Sequence, residues 1–455
     1  MVRSAFFPIL LLLAAASAAD LPKGRIIDRV VCTADARQSY ALYLPSAYNA
    51  GRRWPILYCL EPLARGRLPL EHFEEGAEKY GYIVAGSYNS RNGPIAVASA
   101  ALEAMWRDTH ETLSIDDRRA YLAGMSGGAR DATAFLQSGA FAGVIAQAAG
   151  FSGPVVPKDF AFPFFGTAGT DDFNYAEMRQ VDREIEALGR PHRLVLFAGP
   201  HGWAPSAVCS SALAWFDLVA MRAGTKPMDK PLIHALFESG IDRAKAYEAA
   251  NDLIGAYLET RSLADDFRGW EDTTALEKKA AQMRESKEYR KALKAEERVI
   301  ARHRELLSRI LTLARELDGS GRQEALASLR NSIDDLRTRG AAEQDSDERR
   351  VARRVLREAS VHTREQSALQ REKKDYSGAA LGLELAALIE PDNPELLYRL
   401  AGLYALANDR GRAMSCLKKA VEKGLGDRAR LQTDPSFDSI RGRADFRALA
   451  GQGAK

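Results

Sequence analysis

The sequence predicts an α/β protein in which a mostly parallel sheet of about eight strands is followed by an all-helical repeat region. Up to about Thr225, short apolar runs rich in aromatic and β-branched residues alternate with helical patterns. Beyond that point, glycine and strand-like runs give way to long helices rich in Ala, Leu, Glu, Lys and Arg. The length of 455 residues also exceeds one ordinary domain. Two differently built parts are therefore expected.

The first part contains eight candidate strands, bounded mostly by glycine, proline or polar turn residues. They lie at 25–33, 38–45, 52–62, 80–89, in a run ending at residue 125, and at 141–151, 160–169 and 191–199. Helical patterns at about 128–138 and 175–189 separate the later strands. This alternation predicts parallel strands that are covered by helices on both faces.

A glycine-rich turn, Gly124-Met125-Ser126-Gly127-Gly128, follows the fifth strand and leads directly into a helical pattern. Hydrolases hold a nucleophilic serine on such a sharp strand-to-helix turn, where the next backbone N–H points at the developing oxyanion. The glycines permit the strained backbone and the close approach of strand and helix. We therefore predict that Ser126 is a nucleophile and that the Gly127 N–H is an oxyanion donor. For the motif taken alone, a glycine-rich surface turn is the alternative.

The other two members of a serine triad are predicted at the ends of later strands. In this architecture the chain order is serine, acid, histidine. Asp171 and Asp172 follow the seventh strand, and His201 lies in a glycine-flanked loop just after the eighth. The alternative for His201 is an ordinary loop histidine. Asp172 is the preferred acid and Asp171 the alternative, because one of them can instead cap the helix that begins near Tyr175.

These motifs resemble the α/β-hydrolase superfamily over residues 25–222, close to its compact secreted esterases and polyhydroxyalkanoate-depolymerase-like members. The resemblance implies an esterase with an open site that needs no cofactor. The family usually places His-Gly after the third strand, whereas Glu61-Pro62-Leu63 stands here. Because proline has no N–H, Leu63 is expected to be the second oxyanion donor. Residues 87–94 follow the fourth strand and either line the substrate pocket or form a polar surface turn.

The amino terminus has the form of a secretory signal peptide, since Arg3 precedes an apolar run at 5–16 and small residues follow at 16–19. The run is shorter than the roughly 20 apolar residues that span a membrane, so a permanent anchor is the weaker interpretation. We expect removal of residues 1–19 and a secreted or periplasmic protein. The cysteines, whose spacing predicts neither a metal site nor a catalytic thiol, are Cys32, Cys59, Cys209 and Cys416.

The expected domains are the hydrolase-like domain at 20–225, a helical region at 226–360 and a repeat-like domain at 361–450. Acidic and basic residues are interleaved along the helices, and the whole chain has a formal net charge of +3. A nucleic-acid-binding surface would need one sign of charge clustered on a face. We therefore expect no nucleic-acid partner.

A 34-residue period links two segments near the carboxyl end. The residues that recur at this spacing are Ala379 with Ala413, Leu383 with Leu417, and Ala386 with Ala420. The pattern resembles tetratricopeptide repeats over 362–424, and a generic helical bundle is the alternative. The resemblance implies stacked helices whose core is closed by Phe437, Ile440 and Phe446 and whose concave surface receives a protein partner.

Together these features predict a secreted serine hydrolase that acts on an ester, with helical repeats that dock a partner or contact the catalytic domain. Ser126 would attack the ester carbonyl, His201 would carry its proton to the leaving alcohol, and Asp172 would fix the imidazole tautomer. Two alternatives remain. One is a serine peptidase, because the same triad cleaves amides, and the other is an inactive hydrolase-fold scaffold that serves as a tetratricopeptide binding module.

Overall fold

A computed structural model describes residues 21–153, 155–317, 319 and 321–451. The predicted signal peptide lies outside the described residues, so its presence and cleavage stay predictions. The chain forms two compact units, Met1–Leu293 and Lys294–Lys455.

The first unit is built on a sheet to which the described residues contribute eight strands. Strands β1 to β8 are Arg25–Val31, Ser39–Leu44, Trp54–Leu60, Ile83–Ser87, Ile115–Met125, Val144–Gln147, Phe164–Asp171 and His192–Pro200. Their order across the sheet is β1-β2-β4-β3-β5-β6-β7-β8. β2 pairs antiparallel with β1 and with β4, and all the other neighbouring strands are parallel. The predicted fold class is confirmed.

The central strands of the sheet are buried on both faces, as their continuous apolar runs predict. Every residue of β2, β3 and β4 is buried. Along β3, Ile56 and Tyr58 belong to one apolar cluster, whereas Leu57 and Cys59 belong to another. Successive strand residues point to opposite faces, so each cluster lies on its own face of the sheet.

Helices cover these faces and continue beyond the last strand. Helices α1 to α8 are Arg67–Tyr80, Ile95–Thr112, Gly127–Phe135, Tyr175–Ala187, Ser206–Arg222, Lys230–Ala249, Leu253–Phe267 and Thr274–Glu285. α7 contributes charged side chains to the sheet region: Arg261 contacts Asp182 of α4 at 2.8 Å, and Asp266 pairs with Arg193 of β8. The proposed end of the hydrolase-like domain at 225 stays a prediction.

The other helices are α9 to α16, at Lys287–Glu316, Arg322–Gly340, Asp347–Glu372, Tyr376–Ile389, Pro394–Leu406, Arg410–Glu422, Arg430–Thr433 and Ala444–Leu449. The six residues that recur at the 34-residue spacing are all buried, and they share one apolar cluster with Phe437, Ile440 and Phe446. The assignment of this region to the tetratricopeptide class stays a prediction.

Two further observations concern the described residues as a whole. None of their helices combines the length and the apolar character needed to cross a bilayer. The four cysteines are free thiols, of which Cys32, Cys59 and Cys209 are buried and Cys416 is half-buried.

Candidate active site

Ser126 occupies the turn between β5 and α3. Its backbone has φ 54° and ψ −121°, a region that residues other than glycine rarely adopt. The Ser126 N–H donates to the Gln147 carbonyl at 2.8 Å, and the Ser126 carbonyl accepts from the N–H groups of Ala129 and Arg130 at 3.0 and 3.2 Å. The surrounding backbone thus holds a strained turn in place, and the half-buried Ser126 lies at its apex.

The turn also depends on a close approach of strand and helix. A Cβ placed on Gly124 would lie 2.1 Å from the Gly128 carbonyl oxygen. No side chain fits at that distance, so a residue without Cβ is required at position 124. The glycine-rich motif therefore has a steric reason that is independent of chemistry.

His201 is held by a buried carboxylate. Its Nδ1 lies 2.8 Å from Oδ1 of Asp172, and that oxygen also accepts the Asn174 N–H at 2.8 Å. Asp172 is fully buried, and the His201 side chain is 7% exposed. The Phe173 ring stacks on the imidazole with centroids 4.1 Å apart. These contacts fix the ring and leave its Nε2 for exchange of a proton with another group.

The three predicted triad residues follow the carboxyl ends of parallel strands. Ser126 comes directly after β5, Asp172 directly after β7 and His201 directly after β8. β5, β6, β7 and β8 are consecutive parallel neighbours, so these strand ends lie at one edge of the sheet, where open α/β sheets bind ligands. The structure brings Asp172 and His201 into contact, and their catalytic roles remain predictions.

The loop after β3 does not offer the expected oxyanion donor. The Leu63 N–H donates to Oε2 of Glu61 at 2.7 Å, and the Arg65 N–H donates to the same oxygen at 3.1 Å. The Ala64 N–H donates to the Glu61 carbonyl at 3.1 Å, and Pro62 has no N–H. The expected role of Leu63 is therefore not supported, because the carboxylate two residues earlier occupies its N–H.

Glu61 keeps its position through a second partner. Its carboxylate is fully buried and lies 3.0 Å from Nε of Arg65. By contrast, the Gly127 N–H, the first of α3, donates to no acceptor within the described parts of the chain. It is oriented by the helix that begins there, and a helix amino terminus favours negative charge. Gly127 thus remains available for its predicted role.

Two polar residues that the sequence analysis did not single out support the site. Gln147, at the end of β6, is fully buried and accepts the Ala204 N–H at 2.6 Å through Oε1, which ties the loop after His201 to the sheet. Asn174 donates through Nδ2 to the Ala148 carbonyl at 2.7 Å and so ties the loop after Asp172 to the end of β6. The signal that could have identified both is a carboxamide at, or just after, the carboxyl end of a parallel strand.

Comparison with known proteins adds structural similarity alone. Neither a protein-family model nor a curated protein sequence matches the chain. The similar solved structures include S-formylglutathione hydrolase from Staphylococcus aureus, at 15% identity over 39% of this chain and 89% of that one, with a TM-score of 0.33. The substrate-bound fluorophosphonate-binding serine hydrolase F of the same organism is 14% identical over 43% and 98%, with a TM-score of 0.34. The butyrate-bound esterase of Thermogutta terrifontis is 15% identical over 44% and 95%, with a TM-score of 0.34.

Proposed function

We propose that the first unit is a serine hydrolase of the esterase type, with Ser126 as nucleophile, His201 as base and Asp172 as the acid that orients it. The observation that carries the proposal is the buried 2.8 Å contact between Asp172 and His201 at the sheet edge where the strained turn holds Ser126. A buried carboxylate on one imidazole nitrogen fixes the tautomer that can accept a proton at the other. The strained turn holds Ser126, the proposed nucleophile whose hydroxyl proton such a base accepts.

The proposed reaction follows from these positions. Ser126 Oγ attacks the ester carbonyl while His201 Nε2 accepts the hydroxyl proton, and ionised Asp172 stabilises the resulting imidazolium. The negative charge on the carbonyl oxygen faces the Gly127 N–H at the amino terminus of α3. His201 then protonates the leaving alcohol. Water attacks the acyl-serine by the same route, which releases the carboxylic acid and restores the hydroxyl of Ser126.

One observation favours a second candidate, a hydrolase-fold scaffold without activity. Glu61 occupies the backbone donors of the loop after β3, where hydrolases of this architecture usually place part of the oxyanion hole. A hole with the Gly127 N–H as its single donor would stabilise the transition state poorly. Labelling of the serine and turnover of an ester distinguish the two candidates.

The helical unit and the export of the protein belong to the same proposal. Buried small and apolar residues at a 34-residue spacing support a stack of helices, and such stacks present extended surfaces to partners. The amino-terminal sequence supports export after cleavage near residue 19. We propose that the helices dock a protein partner in the periplasm or outside the cell.

The test is covalent labelling of exported protein with a fluorophosphonate, followed by mass spectrometry and by assay with a short-chain aryl ester. We expect one adduct on Ser126, a mature terminus near residue 20, and turnover that Ser126→Ala abolishes. Ser138→Ala, which changes an exposed serine in the turn after α3, is the matched control and should behave as wild type. A folded protein that is neither labelled nor active would support the scaffold instead.

A further inference from the structure

The proposed hydrolase needs a second donor for the oxyanion, and the loop after β3 does not provide one. Pro62 lacks an N–H, and those of Leu63, Ala64 and Arg65 all donate to Glu61. A tetrahedral intermediate is normally stabilised by two or more donors that point at the same oxygen. The missing donor must come from another element close to the Gly127 N–H.

Asn92, in the loop after β4, lies at that place. A Cβ placed on Gly127 would be 2.0 Å from Oδ1 of Asn92 and 3.3 Å from its Nδ2. A Cβ lies about 2.5 Å from the nitrogen of its own residue, so Oδ1 of this carboxamide is about 4.5 Å or less from the Gly127 nitrogen. The absence of a side chain on Gly127 is what allows the approach.

The backbone around Asn92 is anchored to the loop after β3. The Asn92 N–H donates to the Pro62 carbonyl at 2.9 Å, and Arg91 forms an antiparallel bridge with Leu63. The hydrogen bonds that Glu61 accepts from its own loop therefore also help to position Asn92. The Asn92 side chain is exposed, and its carboxamide makes no hydrogen bond to any described residue. This carboxamide and the Gly127 N–H, two polar groups that have no hydrogen-bond partner among the described residues, thus lie close together.

We propose that Nδ2 of Asn92 is the second oxyanion donor and replaces the backbone N–H that Glu61 occupies. The proposal rests on the proposed function. A half-turn about the Cβ–Cγ bond exchanges Oδ1 and Nδ2, which are close in size, and so directs an N–H at a developing oxyanion. Donation to a charged oxygen is stronger than donation to the neutral ester carbonyl, so the bond gains strength in the transition state. Asn92 would therefore act on kcat more than on KM.

The test is steady-state hydrolysis of p-nitrophenyl butyrate, over a range of substrate concentrations, by the full chain and three variants. The unfolding midpoint is measured for each protein. Asn92→Ala removes the donor, and Asn92→Leu keeps a similar volume but has no charge and no group that donates a hydrogen bond. We expect kcat to fall by about 100-fold or more in both, with KM within about threefold of wild type. Asn331→Ala, which changes an exposed asparagine of α10 in the second unit, should behave as wild type.

The outcomes separate this proposal from the one on which it rests. If wild type hydrolyses the ester and Ser126 is labelled, but both Asn92 variants keep kcat within threefold, Asn92 is not a donor. A change in KM with unchanged kcat also overturns the proposal, because it indicates ground-state binding. If Asn92→Ala lowers the unfolding midpoint, the kcat of Asn92→Leu, whose side chain is close in shape to that of asparagine, decides. Lack of wild-type turnover and of Ser126 labelling instead refutes the hydrolase assignment.

Discussion

Asp172 shows how one buried carboxylate can organise the candidate site. Its Oδ1 accepts from both His201 and the Asn174 N–H, and its Oδ2 is buried with no hydrogen-bond partner among the described residues. The backbone donor helps to hold the carboxylate where the imidazole needs it. Asp171, the preceding residue, ends β7 and stands in register with Pro200 of β8, so the two neighbouring aspartates occupy different environments.

This difference predicts unequal effects of two conservative substitutions. Asp172→Asn should lower kcat by about ten-thousandfold, because an amide favours the wrong imidazole tautomer and cannot stabilise the imidazolium. Asp171→Asn should lower kcat far less. Hydrolysis of one soluble ester at pH 8 by both variants provides the measurement. Equal losses, or a larger loss in Asp171→Asn, would assign the acid to the other residue.

Helix α7 lies beyond the predicted end of the catalytic domain at residue 225, yet buried ion pairs join it to that domain. Arg261 contacts Asp182 at 2.8 Å and Glu186 at 2.9 Å, and Nε2 of His192 lies 3.4 Å from Asp182. Burial alone would raise the pKa of Asp182. The nearby imidazole of His192 and the positive charge of Arg261 outweigh burial and hold the pKa of this carboxyl well below its usual range.

Loss of the guanidinium should therefore destabilise the fold in a pH-dependent way. Arg261→Met should lower the free energy of unfolding at pH 7 by about 3 kcal/mol or more, because it leaves the buried carboxylate of Asp182 with fewer partners. The folded-state pKa of Asp182 is lower than its unfolded value of about 3.9. Its stabilising contribution is therefore present above that pH and is lost as the pH falls towards the folded-state pKa.

The measurement is urea unfolding at pH 7 and at pH 3. The difference in the free energy of unfolding between Arg261→Met and wild type should be smaller at pH 3 than at pH 7. Wild type loses more of the stability that comes from the lowered pKa of Asp182. Arg290→Met, which changes an exposed arginine of α9, is the control and should alter stability by less than about 0.5 kcal/mol at either pH. If the loss of unfolding free energy in Arg261→Met is the same at both pH values, the ion pair with Asp182 is not the cause of that loss.

At the scale of the whole molecule, the chain forms two units with separate cores. All candidate catalytic residues and both apolar clusters of the sheet lie in the first unit, which extends to Leu293. The buried repeat residues lie in the second. The first unit therefore contains all the candidate catalytic residues and apolar cores of its own, and we expect it to fold independently.

Two fragments test where the proposed hydrolase domain ends. A fragment of residues 20–293 should fold and hydrolyse a soluble ester with kcat within about threefold of the full chain. One ending at Lys226 lacks α7, so Asp182 and Arg193 lose the partners Arg261 and Asp266, and it should aggregate or unfold. Turnover, size-exclusion chromatography and thermal unfolding of both provide the comparison. A monomeric, folded but inactive 20–293 fragment would show that the second unit contributes to the site.

The sequence by itself determined the strands, their alternation with helices, and the candidate residues Ser126, Asp172 and His201. Each of these follows from a pattern that is local: an apolar run between turns, a glycine-flanked serine after a strand, or a histidine directly after the last strand. Such patterns depend on neighbours only a few residues apart. They can therefore be recognised without knowledge of the fold.

The tertiary structure alone decided which groups face one another. It showed that Glu61 occupies the Leu63 N–H, that Asn92 lies against Gly127, and that Arg261 pairs with Asp182. The last two contacts join residues 35 and 79 positions apart in the chain. The first depends on how a buried side chain folds back on its own loop. Strand order and side-chain rotamer determine these contacts, and no short-range pattern of residue types encodes either one.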